Sequence, residues 1–451
     1  MDKIKLLRKR KEAIEKAGAE IRAQIAALTD EKSFVELAAF GFSKDAFYEE
    51  DAAGEGVVTG FATIDGYPFY IVAQNFAVSY GGLSKANCDK IAKTLNAAEK
   101  NNTPVVYLLR SYGVRVGEGV EVLEGISELL LKATQLKGTV PQYAVVLGEV
   151  YGSSAALASL CDAVFMVKDG ALCITSPLVL SAKANKNLKP AEVGGYDALK
   201  MAGLPAVPVR DIKEAARKIS KISDLLAVST VDAELNEPAD ALNKKVDATA
   251  IAALIEDGVE LGANSYPEIK TILGRLGGIA IAAVVFDNVK LNAGNVRKVR
   301  DFAELSCCYG LPLVLFVDCV GVEATLPAND SGVLKEIAEY LSILDAIDTA
   351  KVSVVTGKAI GLGYSLFAAK SVGFDYTYAL ATSEIALFES AQGAQIAYAG
   401  EKRADQEKLA ALYSEEHADP VNAAKGGHLD GIVEPQFVKQ YLVASLQTLV
   451  K

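Results

Sequence analysis

The chain has 451 residues, 51% of them apolar and 23% charged, which exceeds one ordinary core and points to two domains of roughly 200 residues each. Its formal net charge of −11 argues against a nucleic-acid partner, because a phosphate backbone needs a concentrated basic face. No run of about eighteen apolar residues could cross a bilayer, and two histidines, His417 and His428, are too few for a His-centred triad or a multi-His metal site, so no metal is expected. Six cysteines lie outside any CxxC frame and read as buried thiols of a reducing compartment. MDKIKLLRKRKEAIEK is not followed by an apolar block or cleavage site, and a cytoplasmic protein is expected.

Residues 1–29 carry apolar side chains at helical spacing and read as a helical arm. Residues 30–61 are turn-rich and acidic. FATIDGYPFYIVAQNFAV then predicts two strands joined at Asp65-Gly66, a strong hairpin signal. A helix of about fourteen residues is predicted from Ser84 to an Asn stop. Strand, glycine loop, helix and strand follow in PVVYLLRSYG, PQYAVVLGEVYGSSAALASLCDAVFMV and ALCITSP. The segment after Pro177 is polar and Lys-rich and reads as a mobile flap. The charged helix DIKEAARKISKISDLL leads to an acidic, Ala-rich connection, where a domain boundary is placed near residue 240, and to a second helix ending near Gly258. ILGRLGGIAIAAVVFD predicts two strands around Gly277-Gly278. The same order then returns in PLVLFVDCVG, KVSVVTGKAIGLGYSLFAAKSVGFDYTYA and SEIALFE, before a helical close over AGEKRADQEKLAALYSEEH and the C-terminal tail.

Spacing makes this a duplication. Pro104 and Pro312 are 208 residues apart, Gly113 and Gly321 are 208, and Gly152 and Gly361 are 209. Strands alternating with helices through glycine turns predict an α/β protein with function at the C-terminal strand ends. GEVYGSS and GKAIGLG each end a strand in a turn whose backbone N–H groups face outward at a helix start. Such a turn suits a phosphate or the developing oxyanion of a thioester carbonyl, and the small residues Gly152, Ser153, Ser154 and Ala155 let a ligand approach closely. A dinucleotide site is disfavoured, because Gly361-Leu362-Gly363 supplies only two glycines of GxGxxG and no P-loop is present.

The segments GEGVVTGFATIDGYPFYIVAQNFAVSYGGLSK, RVGEGVEVL, PQYAVVLGEVYGSSAAL, LGRLGGIAIAAVV, GLPLVLFVDCVGV, GKAIGLGYSLFA and HLDGIVEP occur in this order from about Asp30 to the end. Together they resemble the carboxyltransferase subunits of biotin-dependent acyl-CoA carboxylases, of the propionyl-CoA carboxylase β type, and their relatives in sodium-pumping decarboxylases. The resemblance implies two tandem crotonase-like domains, 30–240 for acyl-CoA and 241–451 for biotin. It also implies a homo-oligomer built on dimers, up to a hexamer, in which the first domain of one subunit faces the second of another. Chemically it implies that the first loop, Gly152-Ser153, holds the thioester oxygen of an enolate and the second, Leu362-Gly363, holds the ureido oxygen of biotin, without a side-chain base. Tyr112, Gly113, Arg115, Ser154, Lys183 and Ser365 become candidate acyl-CoA contacts, and Gly361 and Tyr364 candidate biotin contacts. No methionine here is followed by a biotinyl-type lysine, so biotin must arrive on a separate carrier protein. A biotin carboxylase or membrane decarboxylase subunits complete the expected partners.

Departures from the family pattern are Tyr112 where SGGAR has a small residue, Ser153 and Leu362 where glycines are usual, and Ser365 at a position that helps choose acyl size. They leave a second reading, the α subunit of a methylmalonyl- or glutaconyl-CoA decarboxylase, and a third from another class, a catalytically degenerate scaffold.

Overall fold

In the computed structural model, residues 2–45, 50–200, 203–232, 238–323, 325–327, 332–399 and 406–450 are described. The chain divides into two compact units, Met1–Ser223 and Asp224–Lys451, so that the connection around residue 240 lies in the second. The first unit's strands are β1 (Val35–Leu37), β2 (Phe42–Asp45), β3 (Glu50–Ala53), β4 (Val57–Ile64), β5 (Tyr67–Gln74), β6 (Val105–Ser111), β7 (Gln142–Tyr151), β8 (Ala163–Val167), β9 (Ala171–Cys173) and β10 (Ala206–Val209). Its main sheet runs β1-β4-β5-β6-β7-β8-β10, with β9 paired to β7. The second unit's strands are β11 (Glu256–Leu261), β12 (Ile269–Leu276), β13 (Ile279–Phe286), β14 (Val289–Leu291), β15 (Leu313–Val322), β16 (Lys351–Ile360), β17 (Tyr376–Leu380), β18 (Glu384–Ala386) and β19 (Gly431–Val433). They repeat the plan as β11-β12-β13-β15-β16-β17-β19, with β18 paired to β16.

Both predicted hairpins form. Asp65 and Gly66 take positive φ between β4 and β5, as Gly277 and Gly278 do between β12 and β13, which is the two-residue turn that matches strand twist. The parallel strands beyond them are almost wholly apolar because both faces are covered; Val105 to Leu109 are fully buried. The predicted helix from Ser84 spans Lys85–Asn101, and Ser84 and Asn87 cap it reciprocally. Its Cys88, Ile91, Leu95 and Ala98 share one face and join Val122, Ile126, Leu129 and Ala133 of the helix Val120–Leu136 in the core. Each of the Val, Leu and Ile side chains among them stabilises the unit by about 1.5–3 kcal/mol.

The expected second helix, predicted to end near Gly258, is a short helix, Ala248–Ala252, followed by β11. Pairing with β12 overrides the helical propensity of this Ala-rich stretch. The flap after Pro177 forms two short helices, Pro177–Ala184 and Pro190–Gly194. Of the predicted helical close, Gln406–Tyr413 is helix, and residues 400–405 lie outside the described residues.

The duplication reaches into strand register. Leu109 pairs with Val146 and Ser111 with Val150, so β7 takes four steps where β6 takes two. Val317 pairs with Val355 and Cys319 with Ala359, an identical irregularity between β15 and β16. Before the bulge β7 pairs with β8, and after it with β9; β16 exchanges β17 for β18 in the same way. The bulge re-aims the strand end and delivers each glycine turn to its place.

Candidate active site

Each turn begins at a glycine that no other residue type tolerates well. Gly152 has φ 60° and ψ −126°, and Gly361 has φ 54° and ψ −120°, a region open essentially to glycine alone. Gly152 donates its N–H to Cys173 O at 2.9 Å and Gly361 to Ala386 O at 2.9 Å. These two glycines therefore supply conformation, and the amides left at the helix starts are those of Ser153 and Ser154 in one unit and Leu362 and Gly363 in the other. No side chain caps either helix, Ser153–Ser159 or Leu362–Phe367. Gly363 also packs closely, since a Cβ there would lie 2.8 Å from Cys319 Sγ and 2.9 Å from its carbonyl oxygen.

Behind the first turn, Gln74 is buried and ties two strands together. Its Nε2 donates to Ser154 Oγ at 2.8 Å, and its Oε1 accepts from Arg110 N at 3.1 Å. Ser154 is thus turned into the fold, with its backbone amide as the group it can offer. Arg115 is also interior: a guanidinium N–H donates to Glu55 O at 3.0 Å, and the Glu55 carboxylate lies 3.9 Å away. Gly113 adopts φ 115° and accepts from Leu83 N, while Tyr112 donates its N–H to Tyr80 O at 3.1 Å. The Tyr112 ring stacks on Tyr80 and Tyr151, and burial together with the Glu149 carboxylate raises its phenol pKa. Lys183 is exposed on the helix after Pro177.

At the second turn Ser365 is exposed, with Oγ donating to Gly361 O at 3.4 Å, and half-buried Tyr364 has its phenol pKa raised by burial. Lys358 lies on the bulge, with Nζ 3.8 Å from Glu384 and 3.7 Å from Glu389. Asp318 accepts from Lys358 N at 2.8 Å and Asn288 N at 3.1 Å.

Two features escaped sequence reasoning. Arg110 and Glu149 stand where Asp318 and Lys358 stand in the repeat, so the charges at equivalent positions are exchanged. Lys90 and Lys298, also 208 apart, are both buried. Lys90 Nζ donates to Gly54 O and Val57 O, while Lys298 Nζ donates to Gly262 O, Ser265 O and Ile269 O. Desolvation lowers each ammonium to about 8. The 208-residue offset was the signal available for finding both.

The carboxyl transferase domain model matches residues 15–451. The chain belongs to the carboxyl transferase family. Among its relatives, the methylmalonyl-CoA decarboxylase subunit alpha of Veillonella parvula is 28% identical over 95% of this chain and 89% of its own length. The propionyl-CoA carboxylase beta chain of Cereibacter sphaeroides is 28% identical over 95% of this chain and 90% of its own, and the human mitochondrial counterpart 28% over 95% and 85%. The solved hexameric transcarboxylase 12S, with methylmalonyl-coenzyme A and methylmalonic acid bound, matches with a TM-score of 0.90 at 23% identity, covering 99% of this chain and 94% of that one. The expected α/β crotonase-like architecture, duplicated in tandem, is therefore the fold of this carboxyl transferase chain. Among the described residues, no helix is long and apolar enough to cross a membrane, and no three His, Cys, Asp or Glu side chains gather as a metal ion would need.

Proposed function

We propose that this chain is the carboxyltransferase subunit of a biotin-dependent acyl-CoA carboxylase or decarboxylase, moving a carboxyl group between biotin on a separate carrier and the α-carbon of a short acyl-CoA. The observation that carries the reading is the pair of turns at Gly152 and Gly361, equal in backbone conformation and uncapped by any side chain. In the first, the amides of Ser153 and Ser154 donate to the thioester oxygen as negative charge develops on it, and fixed donors of this kind stabilise an enolate without a reorganisation cost. Gly113 and Tyr112 form the neighbouring rim, and exposed Lys183 is assigned to CoA phosphate by its charge.

The second turn fits the ureido group of biotin. Leu362 and Gly363 present amides, Gly361 sets the turn, and at Gly363 the neighbouring Cys319 leaves no room for a side chain. When bound, biotin supplies the transferable carboxyl group; Tyr364 and Ser365 would border it. A ring of copies, each requiring a biotin carrier and a biotin carboxylase, is the assembly this reading implies.

The test is release of CO2 from malonyl- or methylmalonyl-CoA by the purified chain with free biotin or a cognate carrier. Turnover that disappears in Gly361→Val supports the assignment, and absence of turnover with every carboxylated acyl-CoA refutes it. The alignment with the Veillonella decarboxylase subunit favours a second reading, in which this chain works beside membrane subunits. Affinity purification from the native membrane fraction separates the two: integral membrane partners support it, and a soluble biotin carboxylase partner excludes it.

A further inference from the structure

The first turn carries an aromatic cluster that the duplicated fold does not require. Tyr112 stacks on Tyr151 with ring centres 5.2 Å apart and planes 12° from parallel, and on Tyr80 at 5.8 Å and 14°. Phe76 meets Tyr112 and Tyr80 edge-on at 4.9 and 5.7 Å. At the repeat positions of Tyr112 and Tyr151 stand Val320 and Ile360, so the same strands and bulge form without these rings.

The cluster is held from several sides. The Arg110 guanidinium lies 4.1 Å from the Phe76 ring centre, a cation–π contact. The Tyr151 hydroxyl donates to Glu149. The turn bearing Tyr80 is fixed at Gly81, where a Cβ would come within 2.2 Å of Arg110 O. Tyr112 remains 48% exposed while its ring stacks on two neighbours and meets a third edge-on. It is held by three rings and still reaches solvent, so it excludes volume beside the turn.

We propose that the Phe76, Tyr80, Tyr112 and Tyr151 cluster is an acyl-selecting wall at the first turn, confining the site to acyl groups whose α-carbon carries no alkyl substituent, the acetyl and malonyl class. The inference rests on the first turn holding the thioester oxygen, as proposed above. Tyr151 directly precedes Gly152, and the α-carbon is one bond from the carbonyl carbon whose oxygen meets the Ser153 and Ser154 amides. A substituent on that carbon is driven against a wall that cannot swing away.

The experiment is calorimetric binding of acetyl-, propionyl- and isobutyryl-CoA to the full chain, in wild type, Tyr112→Ala and Tyr112→Phe, with melting temperatures recorded alongside. Discrimination by one methyl in a packed pocket is about tenfold or more. The wild type is expected to prefer acetyl over isobutyryl by at least that factor. Tyr112→Ala is expected to bring the ratio to within about threefold, and Tyr112→Phe, which keeps the ring, to preserve it. An unchanged ratio in Tyr112→Ala overturns the wall, as does an equal loss of affinity for all three thioesters, which would make the cluster a contact for the CoA moiety. Should Tyr112→Ala fail to fold, the wild-type ratio and Tyr112→Phe still decide, because a wild type that binds all three alike refutes selection. If no thioester binds the wild type at all, the reading of the first turn falls together with the wall.

Discussion

Gly152 shows how much of the site is a matter of one dihedral angle. A β-branched side chain at φ 60°, ψ −126° costs about 1–3 kcal/mol, and it twists the Ser153 and Ser154 amides away from a common target. Gly152→Val is expected to keep the melting temperature within several degrees while turnover with malonyl-CoA falls about 10²- to 10³-fold; equal turnover would remove the first turn from the chemistry. The buried lysines make a separate prediction. Free lysine titrates near 10.4, and burial lowers Lys90 and Lys298 to about 8. Between about pH 8 and 10.4 the unfolded chain binds more protons than the folded one, so the stability owed to these residues rises with pH across that window, by roughly 3 kcal/mol each. Below it, each buried ammonium carries its full desolvation cost. Comparison of wild type with Lys90→Met/Lys298→Met from pH 7 to 10 is expected to shift the melting-temperature difference toward the wild type as pH rises. A difference independent of pH would show that the hydrogen bonds to carbonyls offset desolvation entirely. Neither lysine was legible from composition, because a lysine in a helix reads as solvated.

The elements that sequence reasoning found are those with local grammar. Asp65-Gly66 and Gly277-Gly278 announce their hairpins because only certain residues take two positive φ values in succession, and Ser84 announces its helix through a cap. β11 escaped, since its place depends on β12, which no local propensity encodes. The bulges escaped too, although Gly148 and Gly357 mark them: a Cβ at Gly148 would lie 3.2 Å from Arg110 Nε, and one at Gly357 would lie 2.4 Å from the Asp318 carboxyl. Gln74 joins β5 to both the bulged strand's helix and β6, and its loss leaves Ser154 Oγ and Arg110 N without that partner. Gln74→Leu is expected to destabilise the first unit by about 1–3 kcal/mol, with hydrogen exchange accelerating at Arg110 and in the helix Ser153–Ser159. Exchange unchanged at both places would mean that the bond is dispensable.

At the level of the whole chain the duplication was readable because insertions and deletions between the halves nearly cancel, leaving an offset of 208 or 209 over the glycine loops. What the offset could not convey is that equal backbones carry opposite charges: Arg110 and Glu149 in one unit, Asp318 and Lys358 in the other. The site was likewise legible as two turns, whereas the inward direction of Ser154 and the interior place of Arg115 depend on Gln74 and Glu55, residues distant in sequence. The reversal of sign limits how the halves can be recombined. Glu149→Lys copies the second half's residue into the first and leaves two positive charges near Tyr112, on which Arg110 and Glu149 otherwise act with opposite sign. Its melting temperature is expected to fall, and Arg110→Asp added to it to recover part of the loss, since the pair then copies its counterpart; no recovery would mean that the two positions are electrostatically uncoupled. The halves are thus spliceable in geometry but not in polarity, and a chimaera assembled from them must exchange residues from adjacent strands in pairs.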